Sequence, residues 1–280
     1  SSSRDVGIDQ IVPIEKLGKE YAIVKARGID AAEFAVAVAH NDNTKIYAGD
    51  LLIGEIDDGE YLIIDASNFN LPDPPIIIGG NVIDDGIGNM FVSSDKSFYL
   101  YQCIAGQEGL ATIGMNFVAP VNCFLPDNLD EIPLVNQLPN YSGSIESAIV
   151  ITADASILRS DIQIFQNGVA LTQAELDAAL FEGSDLINRN GDPAGWKTYG
   201  IQLVGNVKVE ATGPIAVSLL VGFGQFGGMA GFFSGFGNVP DVDIQLTSSH
   251  CVPGVLLSET STNYDAYQWY YEDAILSGET

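Results

Sequence analysis

A short stretch in the second half of the chain has the residue types that bind a hard cation. Four side chains offer oxygens around the turn residue Gly191: Asp185, Asn188, Asn190 and Asp192. Calcium takes about six to eight oxygen ligands, so donors at this spacing predict a calcium site. The stretch lacks the closing glutamate of an EF-hand, and a solvated loop of Asn, Asp and Gly is the alternative interpretation. Calcium is the one cofactor that the sequence indicates.

Residues arranged for catalysis are not recognisable in the sequence. The two histidines, His40 and His250, stand far apart, and neither has the spacing of a metal-binding motif. The glycines of 222–227 match a dinucleotide-binding pattern by composition, but they lie in a Gly/Phe run and not at a strand-to-helix turn. The carboxylate pairs Asp57–Asp58 and Asp84–Asp85 each precede a glycine, which indicates a turn before it indicates a glycosidase. The sequence therefore predicts a protein that is not an enzyme.

Three cysteines bear on the oxidation state of the chain. Cys103 ends one predicted strand, and Cys123 follows it after one further strand at 112–118. This arrangement predicts a disulfide between Cys103 and Cys123 inside the first domain, with two buried thiols as the alternative. Cys251 has no later cysteine in this sequence with which to pair.

A run of glycine and phenylalanine covers residues 222–237 and allows two interpretations. As core, its phenylalanines close a β-sandwich and its glycines let facing backbones approach. As an interaction surface, they form an apolar patch larger than a monomer normally exposes. The candidate interaction residues are Phe223, Phe226, Phe232 and Phe236. The surrounding charge-free stretch 211–240 contains Pro214 and many glycines, so it predicts strands and no transmembrane helix.

Composition and charge exclude two classes of partner. The chain has 11 Lys and Arg but 37 Asp and Glu, which gives a net charge of −26. Phosphate binding requires clustered cations, so nucleic acids and anionic lipid surfaces are not expected partners. Only 17% of the residues are charged, and 30 glycines separate many short apolar runs. This composition is typical of an exported all-β protein.

An internal repeat predicts how the strands are organised. Two segments share the order of strand, turn, hairpin and late strand pair. The first copy contains the apolar stretches 33–40, 43–49 and 89–103, and the second contains 147–153, 160–168 and 206–221. The repeat predicts two tandem β-sandwich domains related by duplication, the first at 1–122 and the second at 146–240.

Two further segments complete these domains. Residues 123–145 contain three prolines and are predicted to link the two copies. Residues 171–181 are predicted to form one helical insertion in the second domain, because Thr172 and Glu175 have the spacing of a capping box.

Residues 241–280 follow the strand order that begins an immunoglobulin-like domain. They contain Cys251, a Pro253–Gly254 turn, an apolar strand at 255–257 and the aromatic segment 264–271. In such a domain a tryptophan on the third strand packs against a disulfide from the second strand. Since no later cysteine is present, these residues predict an incomplete Ig-like domain and a chain that is a segment of a longer modular protein.

The first domain contains three notable motifs: Gly18–Tyr21, Asp42–Thr44, and Val92–Lys96 followed by an apolar strand. Together they resemble the N-terminal domain family of IgGFc-binding proteins. The resemblance implies a domain that occurs in very large surface proteins of Bacteroidetes, including gliding-motility adhesins exported by type IX secretion. The tail 245–280 is similar to the Ig-like repeats of the same proteins. The second copy has Ala211–Pro214 where Ser-Asp-Lys is expected, which leaves open whether both copies have one function.

These features predict a segment of a large secreted, modular cell-surface adhesin that acts in surface attachment or gliding motility by binding. Its expected partners are a surface polysaccharide or another extracellular ligand, together with outer-membrane anchoring or motility proteins. Contacts are expected through loops at the sandwich ends. Two alternatives stay open. One is a structural subunit of an extracellular filament or sheath, and the other is a carbohydrate-binding module that stacks sugars on Tyr47, Tyr61, Trp196 and Tyr199.

Overall fold

Antiparallel strands make up most of the protein in the computed structural model. The structure describes residue 9 and residues 11–25, 33–69, 76–78, 81–83, 88–104, 114–137, 145–223, 227–232, 242–247, 254–259, 270–271 and 274–275. The chain divides into two units, Ser1–Gly237 and Asn238–Thr280. The predicted all-β fold is confirmed, since strands dominate the described residues of both units.

The described residues in the first half of unit 1 form nine strands and two short 3-10 turns. The strands are β1 (Gly18–Val24), β2 (Phe34–Ala39), β3 (Thr44–Ala48), β4 (Leu51–Ile56), β5 (Tyr61–Ile64), β6 (Ile76–Ile78), β7 (Asn81–Ile83), β8 (Asn89–Ile104) and β9 (Gly114–Phe117). The 3-10 turns are Ile14–Lys16 and Ala66–Asn68. Strands β6 and β7 pair with each other, and the other seven strands form one sheet.

The long strand β8 joins all parts of this sheet. Its first part, up to Ser94, lies between β1 and β3, and its last part, from Phe98, lies between β2 and β9. The register with β1 jumps from Ser93 to Phe98, so residues 94–97 form a bulge that redirects the strand. Two arms result, with the strand orders β4-β3-β8-β1 and β5-β2-β8-β9.

One hydrophobic core lies between the two arms. The arm with β1 and β3 contributes Tyr21, Ile46 and Met90, and the arm with β2 contributes Ala37 and Leu100. All five side chains are essentially inaccessible to solvent. Since residues of both arms pack in a single cluster, the folded sheet is a β-sandwich.

The second half of unit 1 is a sandwich of two separate sheets. Its strands are β10 (Asn128–Val135), β11 (Ile145–Asp154), β12 (Ile162–Gln166), β13 (Val169–Ala170), β14 (Phe181–Glu182), β15 (Trp196–Ile201), β16 (Gly205–Ala211), β17 (Ile215–Phe223) and β18 (Gly227–Phe232). The 3-10 turn Arg159–Asp161 precedes β12, and helix α1 (Gln173–Ala179) precedes β14. The sheet orders are β10-β16-β12-β13 and β14-β15-β11-β17-β18. Alternate apolar residues of both sheets and of α1 fill the core between them.

The two sandwiches have the same strand order. The arm β4-β3-β8-β1 corresponds to β13-β12-β16-β10, and the arm β5-β2-β8-β9 corresponds to β15-β11-β17-β18. Strands β16 and β17 take the places of the two parts of β8, and a turn at 212–214 stands where β8 has its bulge. The predicted duplication is therefore seen in the topology of the chain.

The segment predicted as a linker, 123–145, contains the first strand of the second sandwich. Strand β10 pairs with β16, and its side chains Ile132 and Val135 are buried in the second core. Each copy thus begins one strand earlier than the repeat in the sequence indicates, at β1 and at β10. The structure places a strand here instead of a linker because Ile132 and Val135 bury apolar surface.

The two sandwiches of unit 1 pack against each other through two apolar clusters. One cluster contains Ala22, Phe91, Val121, Leu125, Leu186 and Trp196, and the other contains Val24, Ile104, Val150 and Leu220. Each cluster takes residues from both sandwiches. Burial of this surface favours a fixed arrangement of the pair.

A buried polar contact accompanies the apolar clusters. Asn89, at the start of β8, is inaccessible to solvent. Its Nδ2 donates to the carbonyl of Ser184 at 2.7 Å and to Oγ1 of Thr198 at 2.8 Å. Because a buried amide without partners is costly, these bonds fix the position of the second sandwich on the first.

Unit 2 contains two hairpins among its described residues. Strand β19 (Val242–Thr247) pairs with β20 (Gly254–Glu259), and β21 (Tyr270–Tyr271) pairs with β22 (Ala274–Ile275). The strand predicted at 255–257 lies within β20. Cys251 and most of the aromatic segment 264–271 lie outside the described residues, so the incomplete Ig-like domain stays a prediction.

Candidate interaction surface

The predicted calcium ligands lie around a tight turn between β14 and β15. The backbone N–H of Asn188 donates to the carbonyl of Asp192 at 2.9 Å, and Oδ1 of Asn188 accepts a bond from the Asn190 N–H at 2.8 Å. Asp185 and Asp192 are exposed. In the part of the chain that the structure describes, no three His, Cys, Asp or Glu side chains are placed to hold a metal ion. Calcium binding stays a prediction, and a calcium titration that left the melting temperature unchanged would contradict it.

The two cysteines predicted to form a disulfide are free thiols. Cys103 lies inside the sheet on β8, where it pairs with Phe34 and Met115, and it is buried. Cys123 lies in an exposed turn after β9. The structure thus has no Cys103–Cys123 bond, because one thiol is packed within the sheet and the other faces solvent. Burial raises the pKa of the Cys103 thiol to about 11.

The Gly/Phe run is described only in part. Phe223 ends β17 and Phe232 ends β18, whereas Phe226 and Phe236 lie outside the described residues. The described part forms a hairpin of two strands, as predicted. No helix in the described ranges has the length and apolarity needed to cross a bilayer. The choice between core and interaction surface for these phenylalanines stays a prediction.

The aromatic residues considered for sugar stacking lie in different environments. Trp196 is 8% exposed and Tyr199 is 1% exposed, and the Tyr199 hydroxyl donates to the carbonyl of Ile157 at 3.0 Å. These two rings are therefore part of the packed interior and have no free face for a sugar. Tyr47 is half-buried, and Tyr61 is exposed.

The motifs that resemble the IgGFc-binding domain meet at the bulge of β8. Nζ of Lys96 donates to the carbonyls of Asp42 and Asn43, at 2.5 and 3.3 Å. Asp95 accepts a bond from the N–H of Lys45 at 3.0 Å. Burial opposes ionisation of Asp95, but this bond and other nearby donors lower its pKa overall. These residues hold the β2–β3 turn against the bulge, which is a structural role.

The outer face of the arm β5-β2-β8-β9 is apolar from one edge to the other. One row across the strands is Ile63, Val36, Tyr101 and Phe117, and the next row is Tyr61, Val38 and Tyr99. Near β9, Tyr101 and Phe117 are buried. At β5, Tyr61 is 66% exposed and Ile63 is 54% exposed. This outer face is therefore buried near β9 and exposed to solvent at β5.

Strands β4 and β5 form an exposed apolar edge of the first sandwich. In the described residues, β4 pairs with β3 alone and β5 pairs with β2 alone. The two strands approach closely. A Cβ atom placed on Gly54 of β4 would lie only 3.2 Å from Cδ2 of Leu62 on β5. Leu51 and Leu52 on β4 are 58% and 50% exposed. We call these two strands the β4/β5 edge. Unpaired strands with exposed apolar side chains are templates for pairing with another chain.

Acidic residues lie within and next to the two strands of the β4/β5 edge along the sequence. Residues 50–65 contain six carboxylates and no Lys, Arg or His, and all six are exposed: Asp50, Glu55, Asp57, Asp58, Glu60 and Asp65. Hydrogen bonds from the backbone and the side chain of Ser67 lower the pKa of Asp65, so this carboxylate is charged at neutral pH. The edge therefore combines an apolar strip with a negative field.

The sequence-based predictions do not include Leu51, Leu52 or Ile63. A signal was present, because Tyr61–Ile64 has no polar residue at all. A strand with one buried and one solvated face alternates apolar and polar residues. Four consecutive apolar residues in a short strand therefore require a second covering surface, or else leave apolar side chains exposed.

Comparison with known protein families gives a match over most of the chain. The model of the family described as IgGFc binding protein matches residues 1–221. No curated protein matches the chain. Among solved structures, the apo form of a Pleurotus ostreatus lectin is 12% identical with a TM-score of 0.23, covering 76% of this chain and 73% of the lectin. The Pleurotus ostreatus lectin with GalNAc is 12% identical with a TM-score of 0.20, covering 76% and 74%. Similarity at this level does not establish a shared fold.

Proposed function

The chain belongs to the IgGFc binding protein family, and from this membership we propose that it acts by binding a partner outside the cell. The matched residues contain the first sandwich and the second as far as β17. The proposed mode of action is contact through exposed side chains, without chemical change of the partner. The observation that carries the binding role is the β4/β5 edge, since an apolar strip of this kind is typical of interaction sites.

The more specific role that we propose is that of a segment of a secreted cell-surface adhesin, used in surface attachment or gliding motility. Two features support it. The duplicated sandwiches have separate cores and a shared apolar contact, which suits a stiff module within a longer protein. The net charge of −26 favours solubility and opposes self-association, so it supports an adhesin over a filament subunit.

A bead assay tests the binding role. Fluorescent beads carrying the purified chain are applied to surfaces coated with the Fc fragment of IgG, because that ligand gives the family its description, and with bacterial surface polysaccharides. We expect saturable retention on at least one coated surface, and the free chain should compete with it. Beads carrying serum albumin, which is also acidic, are the control. Retention equal to that of albumin on every surface would contradict the binding role.

Labelling of intact cells tests the adhesin role. Antibodies against the chain should stain unpermeabilised cells of the source organism, and deletion of the segment should reduce attachment to glass. Staining that requires permeabilisation would contradict a cell-surface location. Unchanged attachment of the deletion strain, with surface staining intact in the parent, would contradict adhesion.

A further inference from the structure

We propose that the β4/β5 edge binds an extended, positively charged segment of a partner protein, which adds to β5 as a further strand. This inference rests on the proposed binding role and names the chemistry of the partner. The evidence comes from the second sandwich, where a further strand, β14, already pairs with the counterpart of β5.

The counterpart of β5 in the second sandwich is β15. Strand β14 pairs antiparallel with β15, with Phe181 opposite Gly200 and Glu182 opposite Tyr199. The N–H of Gly183 extends this pairing to the carbonyl of Thr198 at 2.8 Å. In the same position of the first sandwich, β5 pairs with β2 alone among the described strands. The shared topology thus shows that an added strand fits on this side of the module.

In the second sandwich, the chain itself supplies β14, the strand that pairs with the outer edge of β15. Helix α1 leads directly into β14, and its residue Leu176, with Leu180 after it, packs in the second core. The first sandwich has no such insertion, since only residues 57–60 separate β4 from β5. The connection between β4 and β5 therefore supplies no counterpart of β14, and we assign the strand added to β5 to a partner protein. Backbone hydrogen bonds give such strand addition its affinity, and side chains at alternate positions give it specificity.

The charge of the edge determines the charge of the partner. In the second sandwich, Nζ of Lys197 on β15 pairs with Oε1 of Glu182 on β14 at 3.2 Å. The first sandwich places carboxylates, among them Glu60 and Asp65, at both ends of β5. Lysine or arginine in the added strand would complement these carboxylates, while its apolar residues would cover Tyr61 and Ile63. A second copy of this chain is disfavoured, because both copies carry a net charge of −26.

The test uses an acetylated and amidated eight-residue peptide in which lysine alternates with valine. We expect saturable binding to the whole chain by fluorescence anisotropy. Hydrogen exchange should show new protection of the amides of Tyr61–Ile64. A second peptide has the same sequence but N-methyl groups on alternate residues, so it keeps charge and apolar surface and loses backbone donors. Its Kd should be about 10-fold higher, since a loss of about 1.4 kcal/mol of binding free energy raises Kd tenfold. Equal binding of the two peptides would overturn strand addition.

Two variants of the chain locate the site. The double variant Tyr61→Ser with Ile63→Ser removes exposed apolar surface without changing charge, and it should weaken peptide binding about 10-fold. Val169→Ser is the matched control, because Val169 is 69% exposed on β13, an edge strand of the other sandwich. It should bind the peptide as the original chain does. Urea unfolding of both variants confirms that they are folded. Unchanged binding by the double variant would overturn the assignment to β5.

The peptide test and the bead test are independent. If the peptide does not bind while beads carrying the chain are retained on a surface, the strand-addition proposal is wrong and the binding role stands. If the peptide binds with the expected losses while beads are retained nowhere, the edge proposal stands and the proposed binding of those extracellular surfaces fails. A third peptide, with glutamate in place of lysine, should not bind, and its binding would overturn the charge argument.

Discussion

Tyr21 and Phe98 contact each other twice inside the first core. The Tyr21 hydroxyl donates a hydrogen bond to the Phe98 carbonyl, and the two rings meet edge to face with centroids 4.8 Å apart. Tyr21 lies on β1, and Phe98 is the first residue after the β8 bulge. Burial raises the pKa of the Tyr21 hydroxyl far above its ordinary value, so the group stays a donor. This contact ties the two arms of the sandwich together where the strand changes direction.

Replacing Tyr21 with phenylalanine is expected to destabilise the protein. The change keeps the ring and removes the hydroxyl, which leaves the Phe98 carbonyl buried without this donor. A buried acceptor that loses its partner costs about 1–3 kcal/mol. Urea unfolding at neutral pH measures the change. Tyr61→Phe is the control, since Tyr61 is exposed and the loss should be below about 0.5 kcal/mol. Equal stability of the two variants would contradict a role for this bond.

The contact of Asn89 with Thr198 is expected to couple the stability of the two sandwiches. Asn89→Ala should cost about 1–3 kcal/mol, because it removes a donor from the buried hydroxyl of Thr198 in the second sandwich. A double-mutant cycle with Thr198→Val should give a coupling energy of about 0.5–3 kcal/mol. Asn128→Ala, at an exposed amide, is the control. Additive effects of the two changes would show that the contact contributes no coupling.

Cys103 and Cys123 are expected to react very differently with iodoacetamide. The raised pKa of Cys103, about 11 against an ordinary 9.0, leaves about 100-fold less thiolate at neutral pH, and burial also blocks access. Cys123 is exposed and should be alkylated in the native protein. Mass spectrometry of an unreduced digest assigns the label, with urea-unfolded protein as the control in which both react. A peptide pair linked through Cys103 and Cys123 would contradict the structure.

Stability is expected to fall in alkaline solution partly through Tyr199. Burial raises its pKa from 10.0 to about 12. The folded state therefore holds this proton more tightly than the unfolded state. The contribution of Tyr199 to the free energy of unfolding is full below pH 10 and is lost as the pH rises through about 12. Tyr199→Phe should be less stable near neutral pH, because it loses the bond to Ile157, but its stability should decline less steeply across that window. Urea midpoints at several pH values measure both slopes. Parallel slopes would contradict this assignment.

The regular elements were predictable where local rules decide them. The capping box is an example, since Thr172 Oγ1 accepts from the N–H of Glu175 and the Glu175 carboxylate accepts from the N–H of Thr172. Helix α1 forms within the predicted range 171–181. The duplication was predictable as well, because both copies repeat apolar strands in one order. Strand β10 was missed because prolines at 126, 133 and 139 indicate a linker more strongly than its spaced apolar residues indicate a strand.

The exposed edge was harder to predict from the sequence. Whether Ile63 is covered depends on the neighbours of β5, and strand order is a long-range property that apolar patterning does not contain. The second sandwich makes this clear, because the corresponding β15 has β14 beside it. The disulfide prediction failed for a related reason. Spacing along the chain does not reveal that Cys103 packs inside a sheet while Cys123 lies in an exposed turn.

The continuity of β8 has a mechanical consequence for a protein that is pulled. This strand of 16 residues is hydrogen-bonded to β1, β2, β3 and β9. Neither arm can therefore unfold without also breaking hydrogen bonds in the other. Tension on the first sandwich is therefore shared, and its lifetime under load depends on how fast β8 leaves the sheet and not on equilibrium stability. Single-molecule extension should record both arms in one rupture, whereas the second sandwich, with β16 and β17 in separate sheets, should yield in steps.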